Sequence, residues 1–228
     1  MYPAAALRRV CIYFEGSKSR TPDDTSMILT IPHQAFEIGN IHVMPFQVDK
    51  YGKTIARLMY KDNSIDFHDV SILSPPMRIL DYHTETSRLR LDVSEHPSFH
   101  SKINMLHDYL INTFYTHQQS FLNQQGKTYD AIRRLFYFLL DGCALSLFIY
   151  PTATVKKANG VLCRVSDLKP GDVVRCVIRL QGVSQLIHRE ELRLRLHHSV
   201  PALYAVSSSV PPGLRIEAEA FCPQKVSL

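Results

Sequence analysis

The chain has 228 residues, of which 45% are hydrophobic, and its formal net charge is +5. This length allows one large or two small domains, and this composition is that of a globular protein with a core. The basic balance favours an anionic partner. The longest apolar run, 136–150, is broken by Asp141 and Gly142 and is too short for a membrane-spanning helix. We therefore expect no membrane association.

Five cysteines are widely spaced, and none forms a Cys-x-x-Cys pair. This pattern argues against a zinc site and against a secreted disulfide framework, and it favours a reduced, intracellular setting. The N-terminus has no basic leader followed by an apolar stretch, so we expect no signal peptide. Asp62, Asp66 and Asp69 are interpreted as solvated loop residues rather than magnesium ligands.

Motifs of enzymes are absent from the sequence. No Gly-rich loop of the dinucleotide or phosphate-binding kind follows a predicted strand. The eleven histidines show no spacing typical of a metal triad, and His197 and His198 would point to opposite faces of a strand. We therefore expect neither catalysis nor a bound metal or cofactor.

Short strands dominate the chain order. Alternating apolar residues and turn signals predict strands at 27–32, 41–48, 54–60, 70–73, 77–82, 88–93, 144–150, 161–165, 173–180, 191–196 and 202–206. Gly52 supplies the turn of a predicted hairpin at 49–53.

Helical spacing interrupts these strands. One predicted helix carries apolar residues three and four positions apart, namely Ile103, Leu106, Leu110 and Phe114. A second is expected from Thr128 to near Gly142, with an apolar face of Ile132, Leu135, Phe136 and Leu139. The predicted class is mainly β (α+β): an OB-like β-barrel over 27–206 with a helical insertion near 98–142. Residues 1–26 would form an N-terminal arm, and 207–228 a flexible tail.

The positive charge is concentrated in one stretch. Residues 155–198 hold nine Lys and Arg against four Asp and Glu, a net of +5 that equals the charge of the whole chain. Arg193, Arg195 and His197 alternate with leucines and so share one face of a strand. If the strands of these arginines and of Arg175 and Arg179 are neighbours, the four guanidiniums would form a continuous track for an anion.

Cations interleaved with aromatic rings are typical of surfaces that bind single-stranded nucleic acid. The pattern recurs on several predicted strands and on the 49–53 hairpin. The candidate nucleic-acid-binding residues are Tyr51, Lys53, Arg57, Tyr60, Lys61, Arg88, Arg90, Lys156, Lys157, Arg175, Arg179, Arg193 and Arg195. A core position for the tyrosines and a merely solvated basic face are the alternatives.

Two stretches carry a resemblance to a known family. LKPGDVVRCVIRLQGVSQL, from Leu168 to Leu186, is followed by a strand pair ending in PALYAV, and SILSPPMRILDY runs from Ser71 to Tyr82. Together they resemble the single-stranded DNA-binding proteins of large DNA viruses over roughly 25–206. The chain lacks the acidic C-terminal tail and the tryptophans of that family.

The resemblance implies an OB-fold protein that binds single-stranded DNA, with RNA as an alternative ligand, without sequence preference. Its implied role is to protect unwound strands during replication or recombination, with self-association along the strand. The setting would be viral replication sites in the nucleus or cytoplasm of a host cell. The alternative function is a β-sandwich structural or interaction protein, such as a capsid or scaffold component.

Overall fold

The computed structural model describes residues 10–12, 28–49, 51–62, 65–67, 70–150, 153–157, 159–189 and 191–206. The strands are β1 (Val10–Ile12), β2 (Ile28–Pro32), β3 (Ile41–Val48), β4 (Thr54–Asp62), β5 (Ile65–Phe67), β6 (Val70–Leu73), β7 (Met77–His83), β8 (Arg88–Asp92), β9 (Phe136–Tyr137), β10 (Leu140–Asp141), β11 (Ala144–Phe148), β12 (Thr154–Lys156), β13 (Leu162–Cys163), β14 (Val173–His188) and β15 (Glu191–Val206). The helices are α1 (Pro97–Thr116), α2 (Gln118–Leu122) and α3 (Tyr129–Leu135).

The prediction of a mainly β fold with a helical insertion is confirmed. All three α-helices lie between β8 and β9, and the strands on either side of them belong to one hydrogen-bonded sheet. The 49–53 hairpin is also confirmed, because Val48 pairs with Thr54 across it. The predicted arm and tail fall outside the described residues, apart from β1.

The antiparallel hairpin of β14 and β15 forms the spine of the sheet. Their register runs from Val173 opposite Val206 to His188 opposite Glu191. Along its other edge, β14 pairs in turn with β7, β6 and β4, so three successive parts of the chain meet on one strand. β14 is longer than the predicted 173–180, and β15 joins two predicted strands into one.

The sheet curves around a core but does not close into a ring within the described residues. β14, β7, β8 and β11 follow one another by backbone pairing, and β15 completes the hairpin with β14. No ladder joins β11 to β15. The side chain of His198 bridges this seam: Nε2 accepts a hydrogen bond from the Phe148 N–H at 2.9 Å, and Nδ1 donates to the Leu196 carbonyl at 3.0 Å.

Helix α1 closes one side of the core. Its buried residues recur at helical spacing, and they include Phe99, Leu106, Leu110 and Phe114. The ammonium of Lys102 donates to the carbonyls of His33 and Phe36, each at 2.7 Å, which ties the helix to the segment after β2.

Two local predictions are wrong. The second helix ends at Leu135 instead of continuing to Gly142, because 136–141 pairs with strands on both sides: β9 with β15 and β10 with β11. The segment read as a solvated loop contains β5, in which Ile65 pairs with Asp62 of β4. Asp69 lies outside the described residues.

Candidate nucleic-acid interface

The two faces of β15 differ in polarity. Leu194, Leu196 and His198 are buried against the core, whereas Arg195 and His197 point outward and are partly exposed. Arg175 and Arg179 of β14 are also partly exposed, but the three residues between them are all buried, at a shift in the register. The outer face of the hairpin is therefore the basic one.

Gly182 brings a third strand close to this face. It pairs with His197 of β15 on one side and with Arg57 of β4 on the other. A Cβ atom at this position would lie 2.4 Å from the Ala56 carbonyl oxygen, closer than real Cβ contacts allow. Only glycine lets β4 approach this closely, and Arg57 and His197 then flank a residue without a side chain.

A direct contact joins the β3–β4 hairpin to β15. The Nζ of Lys53 lies 2.9 Å from Nδ1 of His197. The Asp49 carboxylate accepts hydrogen bonds from the N–H groups of Tyr51 and Lys53 and so fixes the turn that positions Lys53. Because an ammonium can only donate, Nδ1 is the acceptor here, and His197 keeps its proton on Nε2.

The pKa values of the cluster show that its charges are close together. Burial, and then the charges of Lys53 and Arg195, lower the pKa of His197 to about 4. Burial lowers the pKa of Lys53 and of Arg88, and the charge of Arg195 adds to each effect. The charge of Arg195 therefore acts on both the β3–β4 hairpin and β8.

We call this set the basic cluster: Lys53, Arg57, Arg88, Arg195 and His197. Within the part of the chain that the structure describes, no carboxylate forms an ion pair with any of its four permanent cations. Asp49 is the carboxylate whose charge acts on Lys53 and Arg57, but it forms no ion pair with them. The cations of the cluster still repel one another, and an incoming anion would relieve that repulsion.

Aromatic rings border the basic cluster. Tyr137 of β9 pairs with Arg195 and is 42% exposed. Phe148 of β11 pairs with Arg88, and its ring contacts that of Tyr150 edge to face at 5.0 Å between centroids. The sequence reading placed Tyr137 in a helix and 144–150 in a buried strand. Alternation with the buried Leu147 and Ile149 is the signal that could have placed Phe148 and Tyr150 on the outer face.

Tyr60 does not serve as a stacking residue, contrary to the prediction. Its ring is buried, only 4% exposed, and stacks on Phe36 at 5.7 Å. Its hydroxyl accepts hydrogen bonds from the Glu37 N–H and from the Asn40 side chain, both at 3.2 Å. Tyr60 is therefore a core residue that holds the segment before β3.

Two predicted arginines are already engaged. Arg90 pairs with Asp81 at 3.0 Å across β7 and β8. Arg193 donates to the Arg134 carbonyl and pairs with Glu191, both at 2.6 Å. These partners distinguish them from Arg88 and Arg195, which lie two residues away on the same strands.

The continuous four-arginine track is not formed. β14 and β15 are neighbours as the prediction required, but Arg175 lies at the far end of β14, where its charge is one of several causes that lower the His33 pKa. Val177, between Arg175 and Arg179, is fully buried, as is Ser199 opposite Arg179. The basic face is therefore interrupted.

The remaining predicted residues are dispersed over the surface. Tyr51 is 82% exposed at the tip of the β3–β4 hairpin, and Lys61 is exposed near the end of β4. Lys156 and Lys157 are exposed at β12, which pairs with the end of β15 distant from Arg195.

Neither a metal site nor a membrane-spanning helix is found among the described residues. The described residues contain no group of three His, Cys, Asp or Glu side chains that could hold a metal ion. None of the described helices has the length and apolar character needed to cross a membrane.

Comparisons with known proteins give structural neighbours only. No protein-family model and no curated protein matches the chain. A solved structure, the single-stranded DNA-binding protein from bacteriophage Enc34, is similar with a TM-score of 0.38 and 12% identity, covering 75% of this chain and 93% of that chain. The same phage protein in complex with ssDNA gives a TM-score of 0.36 and 11% identity over 75% and 98%.

Proposed function

We propose that this protein binds single-stranded DNA without sequence preference at the basic cluster and its bordering rings. The observation that carries the proposal is the convergence, beside Tyr137 and Phe148, of four cations that form no ion pair within the described part of the chain. Cations follow the phosphates of a single strand, and exposed rings stack on its unpaired bases. Neither contact reads the edge of a base, so sequence preference is not expected.

The proposed role is to protect unwound strands during replication or recombination, at viral replication sites in a host cell. The proposal extends to RNA as an alternative ligand and to self-association along the strand. A capsid or scaffold protein is the alternative, in which the basic cluster faces solvent or an acidic partner. No catalytic step forms part of the proposal.

Fluorescence anisotropy with a labelled oligo-dT and a matched duplex tests the proposal. We expect tighter binding of the single strand, because unpaired bases can stack on the rings and paired bases cannot. Four cations that each contact one phosphate predict a slope of about −3 in log Ka against log salt, at about −0.7 per contact. Equal or stronger binding of the duplex, or a salt-independent affinity, would contradict single-strand binding at this surface.

A further inference from the structure

Lys53 and His197 form a pair that the proposed function does not by itself explain. The Lys53 ammonium donates a hydrogen bond to the neutral His197 imidazole. Nδ1 of His197 therefore carries no proton, although the surface around it is cationic. The imidazole is half-buried and pairs across the sheet with Gly182, which pairs in turn with Arg57. An anion that contacts Lys53 therefore also lies next to His197.

The charged surroundings of His197 come from four parts of the chain. The charges that act on it are those of Lys53 and Asp49 of the β3–β4 hairpin and of Arg195 of β15. Arg57 of β4 lies across Gly182, and Arg88 of β8 acts on the adjacent His198. Asp49 alone favours the protonated ring, while Lys53 and Arg195 oppose protonation. Burial is thus the main cause that opposes protonation, and the cations add to it a part that a phosphate would neutralise.

We propose that binding of a single strand at the basic cluster is coupled to the uptake of one proton by His197. This inference rests on the proposed function and adds a regulatory property to it. In the bound state the Lys53 ammonium transfers its hydrogen bond from Nδ1 to a phosphate oxygen, and Nδ1 takes a proton from solvent. The phosphodiester remains a monoanion, and the net change is one proton bound per chain.

The sign of the effect follows from linkage. The free protein holds the His197 pKa at about 4, below its usual 6.5. Phosphate charges next to Lys53 and Arg195 raise this pKa in the complex, since an opposite charge favours the protonated ring. The complex then binds more protons than the free protein, so affinity increases as the pH falls toward the pKa of the complex.

The decisive measurement is the oligo-dT dissociation constant between pH 5.5 and 8 at constant ionic strength. Thymine does not titrate in this range, and circular dichroism at each pH confirms folding. For the wild type we expect the dissociation constant to fall about tenfold across the range. H197Q should bind with a nearly flat pH response, and H42Q, which removes an exposed histidine on β3 away from the basic cluster, should retain the wild-type response.

Imidazole NMR titration gives an independent readout. The His197 pKa should rise when oligo-dT is added, and it should also rise in the free K53M variant, because one opposing charge is gone. Tight, salt-dependent binding with a flat pH response in the wild type would overturn the proton coupling and leave the proposed function standing. Absence of oligonucleotide binding at every pH would overturn both.

Discussion

Neighbouring arginines on one strand give a matched test of the interface at the scale of single residues. Arg88 contributes to the basic cluster, whereas Arg90, two residues on, pairs with Asp81. We expect R88A and R195A each to weaken oligo-dT binding by about 1–2 kcal/mol and to reduce the salt slope by about 0.7, because each removes one phosphate contact. R90A should change neither quantity appreciably. Anisotropy at four salt concentrations measures both.

The aromatic residues should give a different signature. Y137L and F148L should each weaken binding by about 1–3 kcal/mol while leaving the salt slope unchanged, because stacking releases no counterions. Y115L, which alters a 40%-exposed ring on α1, is the control and should bind as the wild type does. An unchanged affinity in Y137L and F148L would place the base-stacking surface elsewhere.

At the scale of elements, the close pairing of β4 with β14 depends on one residue, Gly182. G182A places a methyl group 2.4 Å from the Ala56 carbonyl oxygen, so β4 must move away. We expect a loss of about 1–3 kcal/mol in the free energy of unfolding, of the size typical of overpacking. G39A is the control, since nothing lies within 4 Å of an added Cβ there. Urea denaturation distinguishes them, and equal stability of the two variants would contradict the close approach.

The sequence predicted where the strands and helices lie better than it predicted which of them are neighbours in the sheet. Alternation placed Arg195 and His197 on one face and their leucines on the other, because side-chain direction on a strand depends only on local geometry. It could not show that Lys53 meets His197 from 144 residues away, because register between distant strands is set by the whole sheet. The run Phe136–Leu139 was read as helical since short apolar runs fit either period.

Tyr60 shows a second limit of sequence reading. A tyrosine in a strand is compatible with both a core and a stacking role, and only the positions of Phe36 and Asn40 decide between them. Alternation could have shown that Phe148 points outward, whereas the helical prediction concealed the direction of Tyr137. That both rings border the basic cluster depends on pairing with Arg88 and Arg195, which the sequence does not show.

At the scale of the whole molecule, buried histidines make stability depend on pH. Burial is the main cause that lowers the pKa to about 4 in His33, His107, His197 and His198. Between pH 6.5 and 4 the unfolded chain therefore binds protons that the folded chain does not, and the free energy of unfolding falls as the pH falls through this window. A fully buried histidine contributes at most about 3 kcal/mol to this fall.

Urea denaturation at several pH values checks this expectation. The midpoint should decrease steadily below pH 6.5, and H107L should show a shallower decrease because one titrating group is gone. H42Q, which removes an exposed histidine, should follow the wild-type curve. A midpoint that is constant from pH 7 to pH 4.5 would contradict the role of burial.

The seam between β11 and β15 is bridged at one amide, and hydrogen exchange at that amide reports whether the two strands stay together. The Phe148 N–H is bonded to the His198 ring, while the Ser146 N–H on the same strand is bonded to the Leu139 carbonyl at 2.8 Å. A protonated ring cannot accept a hydrogen bond, so acid releases the first amide and leaves the second held. Hydrogen–deuterium exchange at Phe148 should therefore accelerate relative to Ser146 as the pH falls from 7 to 5. Among the described residues no hydrogen bond between main chains joins β11 to β15, so loss of the His198 contact would free the two strands to separate there.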